Sequence, residues 1–398
     1  MTDFQATKAL FDLPEGVIYL DGNSLGPLPK AAPARMEQVM RAEWGQMLIT
    51  GWNKAGWMHQ PRQIGDRIAR LIGAEPGSVV MGDTLSIKVY QALAAALGLA
   101  QPDRKVILSD SGNFPSDLYM AQGLIASLDR GYELRVVAPE NVADNITEDV
   151  AVLMITEVDY RTGRLHDMQA LTAKAHAMGV ITVWDLAHTA GATQVELAAC
   201  NADFAVGCTY KYLNGGPGAP AFIYVAPRHA DTAAPALSGW LGHDAPFAFE
   251  QSYRPGAGIE RMRVGTPPVL ALAALETALD IWDLTDMQAV RAKSQQLTTL
   301  FINEVERRCP QLTLATPRDP NARGSQVSFR FADGYAAIQA LIAQGVIGDF
   351  RAPDIMRFGF TPLYVDETDV IRAAEIIEDV MTNALWDHPD FKVRAAVT

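Results

Sequence analysis

Between residues 78 and 225, short apolar segments alternate with segments of helical spacing, and this alternation limits the folds that the chain can adopt. The apolar segments span residues 105–110, 134–138, 151–156, 180–185, 204–208 and 221–225. Helical spacing occurs between them, as over 116–128 and 168–178. Strands buried on both faces are apolar along their whole length, so the pattern predicts an α/β fold with a mainly parallel, doubly wound sheet. Only a glycine-rich turn separates the last two segments, so we expect one antiparallel pair there.

The chain beyond residue 255 has a different pattern. A stretch that contains proline and glycine, 255–268, precedes a helical segment, and a further predicted helix buries one face formed by Val290, Leu297, Phe301 and Val305. Short helical and strand-like segments follow, such as 370–381 and 326–331. Because 398 residues are many for one core, we predict a second, smaller α+β domain at this end.

Charge and composition exclude several functional classes. The formal net charge of −13 opposes binding to nucleic acid and to anionic membranes, although local cations still permit an anionic small ligand. The apolar runs are shorter than the about 18 residues of a membrane span, and the N-terminal sequence lacks the features of a secretory signal. Cys200, Cys208 and Cys309 form no CxxC pair, so we expect neither disulfides nor a metal site. These features predict a cytoplasmic protein.

The segment "VITVWDLAHTAG" places Asp185 directly after an apolar strand, and His188 follows three residues later. Open α/β sheets bind ligands at the carboxyl ends of their strands, so both side chains are candidates for one pocket. The alternative is that Asp185 caps a turn and that His188 merely packs beside it.

Lys211, in "YKYLNGGPG", also follows an apolar strand by one or two residues. Taken alone, it is either a solvated turn residue or an amine that forms a Schiff base with a carbonyl compound. Pyridoxal phosphate needs such a lysine, and it needs a carboxylate to keep its pyridine nitrogen protonated. Lys211 and Asp185 together supply both groups, and this favours the catalytic interpretation.

The segment "MGDTLSIKVYQALAAAL" predicts a helix that begins at Asp83, Thr84 or Ser86. The free N–H groups at the start of such a helix form a cradle for phosphate, although simple capping of the helix explains the residues equally well. The sequence contains no GxGxxG or GxxxxGK motif, which disfavours a dinucleotide fold and a P-loop.

Three further residues are candidates on weaker grounds. Phe114 and Asp117 follow the strand 105–110, where an aromatic ring can stack on a flat heterocycle or simply cover the core. Arg357 lies in the C-terminal part of the chain, and its planar guanidinium matches a substrate carboxylate. Other arginines of the chain match a carboxylate equally well on sequence grounds.

The order of these motifs resembles that of the kynureninase family. The segments that carry the resemblance, which covers about residues 4–382, are "YLDGNSLGPLP" (19–29), "NFPSDLY" (113–119), "WDLAHTAGA" (184–192), "YKYLNGGPG" (210–218), "GWLGHDAPFAF" (239–249), "GTPP" (265–268) and "RFGFTPLY" (357–364). The match is closer to bacterial than to animal members. The resemblance implies a fold-type I, pyridoxal-phosphate-dependent enzyme with a mainly parallel seven-stranded sheet. It also implies a homodimer with active sites at the subunit interface.

The resemblance assigns a role to each candidate residue. It implies that Lys211 binds the cofactor covalently, that Asp185 pairs with the pyridine nitrogen and that His188 lies near the phenolic oxygen. The other implied cofactor contacts are Phe114 and Asp117 at the ring, Leu85, Ser86 and Tyr210 at the phosphate, and Trp240 and Thr266, which complete the site from this subunit or from its partner. Arg357 is expected to bind the substrate α-carboxylate, and Tyr210 is our candidate proton carrier.

The implied reaction is hydrolysis of L-kynurenine or its 3-hydroxy form to anthranilate or 3-hydroxyanthranilate and L-alanine, in tryptophan catabolism. Animal members have asparagine in place of Thr266 and usually phenylalanine in place of Leu241, and these positions bear on the choice between the two substrates. The alternatives are a class V aminotransferase, a cysteine desulfurase and a non-catalytic protein of the same fold.

The expected division of the chain has three parts. Residues 1–50 form an N-terminal segment that contributes to the small domain and to dimer contacts. Residues 51–283 form the large cofactor-binding α/β domain, and residues 284–398 form the small C-terminal α+β domain.

Overall fold

Each apolar segment identified between residues 105 and 225 forms a strand of a central sheet, and all of these strands except the one at 133–137 are buried. The computed structural model describes residues 2–394. Its strands are β1 (Phe11–Asp12), β2 (Ile18–Tyr19), β3 (Leu28–Pro29), β4 (Val79–Met81), β5 (Val106–Asp110), β6 (Glu133–Val137), β7 (Val150–Thr156), β8 (Ile181–Asp185), β9 (Phe204–Gly207), β10 (Phe222–Val225), β11 (Thr313–Leu314), β12 (Gln326–Arg330), β13 (Val346–Ile347), β14 (Asp349–Arg351) and β15 (Ile355–Gly359).

The central layer is a seven-stranded sheet with the strand order β4–β10–β9–β8–β7–β5–β6. Strands β9, β8, β7, β5 and β6 run parallel, as predicted. Strand β10 is antiparallel to both of its neighbours, which confirms the expected antiparallel pair after the glycine-rich turn. The carboxyl ends of the parallel strands therefore meet at one edge of the sheet.

Helices cover both faces of this sheet, since alternate residues of each strand point to opposite sides. In β7, Val152 and Met154 join one apolar cluster, whereas Leu153 and Ile155 join the other. The helices are α1 (Phe4–Lys8), α2 (Ala32–Gln38), α3 (Gly51–Lys54), α4 (Gln60–Leu71), α5 (Leu85–Leu99), α6 (Pro115–Leu128), α7 (Met168–Ala177), α8 (Val269–Trp282), α9 (Met287–Arg308), α10 (Gly334–Ala343), α11 (Glu367–Thr382) and α12 (Pro389–Lys392). Over residues 2–394, no helix is long and apolar enough to cross a membrane.

Strand β6 differs from the expectation that the apolar segments are buried on both faces. It lies at the edge of the sheet, and its residues are either exposed or half-buried. An edge strand has a neighbour on one side only, so the apolar run at 134–138 indicated the strand but not its burial.

A separate four-stranded antiparallel sheet, with the order β11–β12–β15–β14, forms near the C-terminus. Helix α9 packs on it with Val290, Leu297, Phe301 and Val305 buried, as the spacing predicted. The N-terminal segment joins this part of the chain, because β2 pairs in parallel with β13. The residue boundaries of the domains stay a prediction.

The N-terminal segment 19–29 also packs tightly on the turn that carries Lys211. The amide of Gly26 donates a hydrogen bond of 2.7 Å to the carbonyl oxygen of Tyr210. A Cβ atom at position 26 would lie 2.5 Å from the Cα of Asn214 and 2.6 Å from the carbonyl oxygen of Lys211. Glycine is therefore required at position 26 for steric reasons, because the neighbouring atoms belong to the backbone.

We expect Gly26→Ala to displace the 210–214 turn and to lower the free energy of unfolding by about 1–3 kcal/mol, as overpacking typically does. The urea midpoint, followed by circular dichroism, measures this change. Gly123→Ala is the matched control, because Gly123 lies within α6 and a Cβ atom there meets no atom within 4 Å. An unchanged midpoint for Gly26→Ala would contradict the tight contact.

Candidate active site

Polar side chains that follow β8 and β9 line a cavity of about 160 Å³ at the carboxyl edge of the parallel strands. This edge is where open α/β sheets bind ligands. The lining residues are Asn23, Ser24, Leu85, Phe114, Asp185, Ala187, His188, Tyr210, Lys211, Arg351 and Arg357. We call it the Lys211 cavity.

Lys211 is an amine inside this cavity and not a solvated turn residue. Its Nζ atom lies 3.2 Å from Nε2 of His188 and 5.9 Å from the ring centroid of Phe114. Strand β9 ends at Gly207, so Lys211 lies further beyond the strand than the one or two residues that the apolar run indicated. The extra residues form the tight turn on which the N-terminal segment packs.

His188 is neutral in this position. Burial lowers the pKa of its imidazole well below the ordinary value, and the positive charge of Lys211 lowers it further. A neutral ring nitrogen can accept a hydrogen bond from the ammonium group of Lys211. His188 therefore orients the Lys211 amine without adding a second charge beside it.

Asp185 ends strand β8, and its carboxyl group lies near that of Asp117 in α6. One oxygen of Asp185 accepts a hydrogen bond of 2.8 Å from the amide of Ala187. Burial raises the pKa of Asp185 to about 6, although Lys211 opposes the shift, and burial with the nearby Asp185 charge raises the pKa of Asp117 well above its ordinary value. At neutral pH Asp117 therefore keeps its proton and Asp185 carries the negative charge.

Tyr210 lines the cavity next to Lys211 with its phenol protonated. Burial raises the pKa of this phenol well above the ordinary value, and the neighbouring Cys208 adds to the shift. The hydroxyl is therefore available as a proton donor at neutral pH. Its backbone is fixed by the hydrogen bond from Gly26.

Two helices begin beside the cavity with free N–H groups. Helix α5 starts at Leu85 after Thr84, and α6 starts at Pro115 after Phe114; within residues 2–394, neither N-cap side chain accepts a hydrogen bond from the first turn of its helix. The Oγ atoms of Ser86 and Ser116 lie 2.9 Å apart, so the two helix starts converge. This arrangement suits an anion such as phosphate.

Phe114 presents its ring to the cavity, with 40% of the residue exposed. The ring of Tyr160 contacts it edge to face, with centroids 5.2 Å apart. The backbone amide of Phe114 donates a hydrogen bond of 2.8 Å to Oδ1 of the preceding residue, Asn113. These contacts hold the ring in one orientation, as a stacking platform requires.

Arg357 reaches the cavity from β15 and is almost fully buried. Its Nε atom donates to Oδ1 of Asp349 at 2.6 Å, and Nη2 pairs with Oδ2 of the same carboxylate. Nη1 donates to the carbonyl oxygen of Tyr160 at 2.5 Å, and Nη2 also donates to Oγ of Ser24 at 3.0 Å. Burial acts to raise the pKa of Asp349, but the charges of Arg357 and Arg351 and the hydrogen bonds from Arg357 and Ser24 together lower it below the ordinary value.

Trp240 and Thr266 do not line the Lys211 cavity. Trp240 is 40% exposed and contacts Phe247, and Thr266 lies on a small separate cavity with Asp83. Within the described residues of this chain, the structure does not bring these two side chains to Lys211.

The sequence analysis missed several residues that build the cavity, namely Asn23, Ser24, Tyr160, Asp349 and Arg351. Ser24 lies inside the motif "YLDGNSLGPLP", so the motif itself was a signal, although no single residue of it was assigned. Burial, reinforced by Asp349, raises the pKa of nearby Asp21 to about 8, which leaves this carboxyl neutral at pH 7.

The residues present fit pyridoxal phosphate. One oxygen of Asp117 is buried without a hydrogen-bond partner among the described residues, and Asp117 lies near enough to Asp185 for that charge to raise the pKa of Asp117. A lysine amine, a buried carboxylate, an aromatic ring and two free helix starts surround one cavity. Among residues 2–394 there is no cluster of three or more His, Cys, Asp or Glu side chains suited to a metal ion.

Solved structures of similar fold include two cysteine desulfurases. The enzyme from Thermococcus onnurineus NA1 has a TM-score of 0.80 at 18% identity, covering 95% of this chain and 98% of that one. The desulfurase CsdA from Escherichia coli has a TM-score of 0.79 at 18% identity, covering 97% and 99%. At this identity the likeness concerns the fold alone, and it confirms the predicted fold-type I architecture.

Comparison of sequences identifies the family. The family model of the kynureninase C-terminal domain matches residues 290–377. A relative named kynureninase from Pseudomonas fluorescens is 52% identical over 394 residues, which cover 98% of this chain and 95% of the relative. A relative of the same name from Burkholderia pseudomallei (strain 1106a) matches to the same extent. Such identity along nearly the whole chain shows that this protein belongs to the kynureninase family.

Proposed function

We propose that this protein hydrolyses the Cβ–Cγ bond of L-kynurenine, or of its 3-hydroxy form, to anthranilate or 3-hydroxyanthranilate and L-alanine, as a step of tryptophan catabolism. The observation that carries the proposal is the single cavity that brings Lys211, Asp185 and Arg357 together. Each of these side chains suits one part of the reacting complex. Lys211 suits the carbonyl carbon of the cofactor and then the substrate amine, Asp185 suits the cofactor ring, and Arg357 suits the substrate α-carboxylate. The relatives with this name and 52% identity support the assignment.

Pyridoxal 5′-phosphate, the cofactor of this family, supplies an electron sink for charge that develops at the substrate carbon atoms. In the Lys211 cavity the charged Asp185 would face the pyridine nitrogen, and the ring of Phe114 would stack on the heterocycle. The other residues that would hold the cofactor are Leu85 and Ser86 at the phosphate, with the hydroxyl of Tyr210, and Asp117 and His188 at the ring.

The proton-transfer groups of the chain lie next to one another. Lys211 Nζ would hold the cofactor, and it is the base placed to take the α-proton of the substrate, with neutral His188 beside it. Arg357 holds the α-carboxylate and thereby fixes the orientation of the Cα–H bond toward the lysine. The protonated phenol of Tyr210 gives a proton to the β-carbon when the Cβ–Cγ bond breaks. The attacking water adds its hydroxyl to the γ-carbonyl carbon, and its other proton restores the phenol.

The division of the chain and its assembly belong to the same proposal. We propose a homodimer in which the partner subunit supplies Trp240 and Thr266; the exposure of both side chains outside the Lys211 cavity supports this arrangement. Residues 51–283 would form the large domain, and the segment 1–50 would join residues 284–398. The pairing of β2 with β13 supports that attachment.

The cysteines argue against a desulfurase, whose nucleophile must be a mobile, reactive thiol. Cys208 and Cys309 are buried and Cys200 is half-buried, and burial raises the pKa of all three thiols. All three are free, which fits a reducing compartment such as the cytoplasm.

We expect Lys211→Ala to lose both the visible absorbance of the bound cofactor and the release of anthranilate from L-kynurenine. In the wild-type protein, borohydride reduction should fix the cofactor on Lys211, located by peptide mass mapping. Lys174→Ala is the control, because Lys174 lies on α7 with 43% of its side chain exposed and should leave the adduct and activity intact. A Lys211→Ala variant with full activity would refute the proposed function.

We expect Tyr210→Phe to retain the cofactor but to lower kcat by about 100-fold, because the variant loses a proton donor and little packing volume. The absorbance of the bound cofactor measures its retention, and the fluorescence of released anthranilate measures kcat. Tyr119→Phe on α6 is the matched control, since this ring is 63% exposed and does not line the cavity. An unchanged kcat would remove Tyr210 from the acid–base role.

A further inference from the structure

Arg357 has few free donors left for a substrate. A guanidinium carries five N–H groups. Two of those of Arg357 bond to Asp349, one bonds to Ser24 and one to the carbonyl oxygen of Tyr160. A carboxylate usually accepts two or more hydrogen bonds from its binding site, so the remaining N–H of Arg357 does not satisfy it alone.

Arg351 offers the missing donors in the same cavity. It lies on β14, two residues after Asp349, so the two side chains point to the same face of the strand. Its Nη1 atom donates to the carbonyl oxygen of Phe350, and its Nη2 atom lies 2.8 Å from Oδ2 of Asp349. At least three of its N–H groups have no partner within residues 2–394, and 32% of its side chain is exposed.

The charges at this end of the cavity leave one positive charge in excess. Arg357 and Arg351 flank the single negative charge of Asp349, and burial keeps nearby Asp21 neutral. The charges of both arginines also lower the pKa of His188, which shows that their field reaches the group beside Lys211. The excess charge suits a ligand that brings one carboxylate next to the Lys211 amine.

We propose that Arg351 is a second binding residue for the α-carboxylate of the amino-acid substrate, which it would hold together with Arg357. The inference rests on the proposed function, because it takes an amino acid as the ligand. In this arrangement Arg357 fixes the position of Asp349 and gives one donor, whereas Arg351 gives the remaining donors from the open side of the cavity.

A purely structural role for Arg351 would be to neutralise Asp349. Arg357 already does so with a two-point ion pair, and Ser24 Oγ donates to the same carboxylate at 2.6 Å. The structural role therefore predicts equal effects on all ligands, whereas carboxylate binding predicts an effect on acids only.

The test compares L-alanine with L-alaninamide, which differ only in the carboxylate. Both are added to the cofactor-loaded enzyme, and the Kd of each is measured from the change in cofactor absorbance. We expect Arg351→Gln to raise the Kd of L-alanine about tenfold and to leave that of L-alaninamide within about twofold. Arg351→Lys keeps the positive charge but loses the planar guanidinium that can donate two parallel hydrogen bonds. We expect it to raise the Kd of L-alanine about threefold.

Arg330→Gln is the matched control. Arg330 lies in the same sheet, on β12, and forms a comparable ion pair with Asp354 at 3.0 Å, but it does not line the Lys211 cavity. We expect both Kd values to stay at the wild-type level. If Arg351→Gln does not retain the cofactor, the Kd values of L-alanine and L-alaninamide are compared on Arg351→Lys, and this comparison tests the inference.

Two results would overturn the inference: equal weakening of L-alanine and L-alaninamide, or no change in the Kd of L-alanine. Neither depends on turnover of L-kynurenine. A wild-type enzyme that binds L-alanine but does not release anthranilate would contradict the proposed function, and the effect of Arg351 on the acid would still be measured.

Discussion

The buried ion pair between Arg357 and Asp349 is the interaction on which the rest of the cavity depends. Both side chains are withdrawn from water, so the buried charge of Arg357 depends on the charge of Asp349 that neutralises it. The pair also fixes parts of the chain that are distant in sequence, since Arg357 bonds to Ser24 of the N-terminal segment and to Tyr160 of the loop after β7. Removing Asp349 would leave the buried charge of Arg357 without this counter-ion, and removing Arg357 would release the contacts to Ser24 and Tyr160.

Asp117, Asp185 and Lys211 form a second group of ionisable side chains at the cavity. Asp117 and Asp185 cannot both ionise in a buried site, so the pair holds one proton and one negative charge. That charge faces Lys211, beside which His188 stays neutral. The cavity thus has an acidic end built by the parallel sheet and a cationic end built by Arg351 and Arg357. An amino acid joined to a protonated heterocycle matches this polarity.

The sequence predicted the acidic end better than the cationic end, for a physical reason. Asp185 follows its strand directly, and Lys211 follows the next strand along the chain. Because ligands bind at the carboxyl ends of the strands in open α/β sheets, these local patterns were sufficient to place the two residues together. Arg351 and Tyr160 gain their roles from contacts across the tertiary structure, as in the bond from Arg357 to the Tyr160 carbonyl. No local pattern encodes such a contact. The weak burial of β6 likewise depends on its position at the edge of the sheet.

The loop that carries Tyr160 connects the two ends of the cavity. Its ring contacts Phe114, whereas its carbonyl oxygen accepts hydrogen bonds from Arg357 and from Nε2 of Gln326 in the C-terminal sheet. A movement of that sheet relative to the central one would therefore displace Tyr160 and, through it, the ring of Phe114. Since the cysteine desulfurases share this fold at only 18% identity, the fold alone does not fix the chemistry. Specificity in such a scaffold depends on side chains that, like Arg351, face the ligand from the C-terminal sheet.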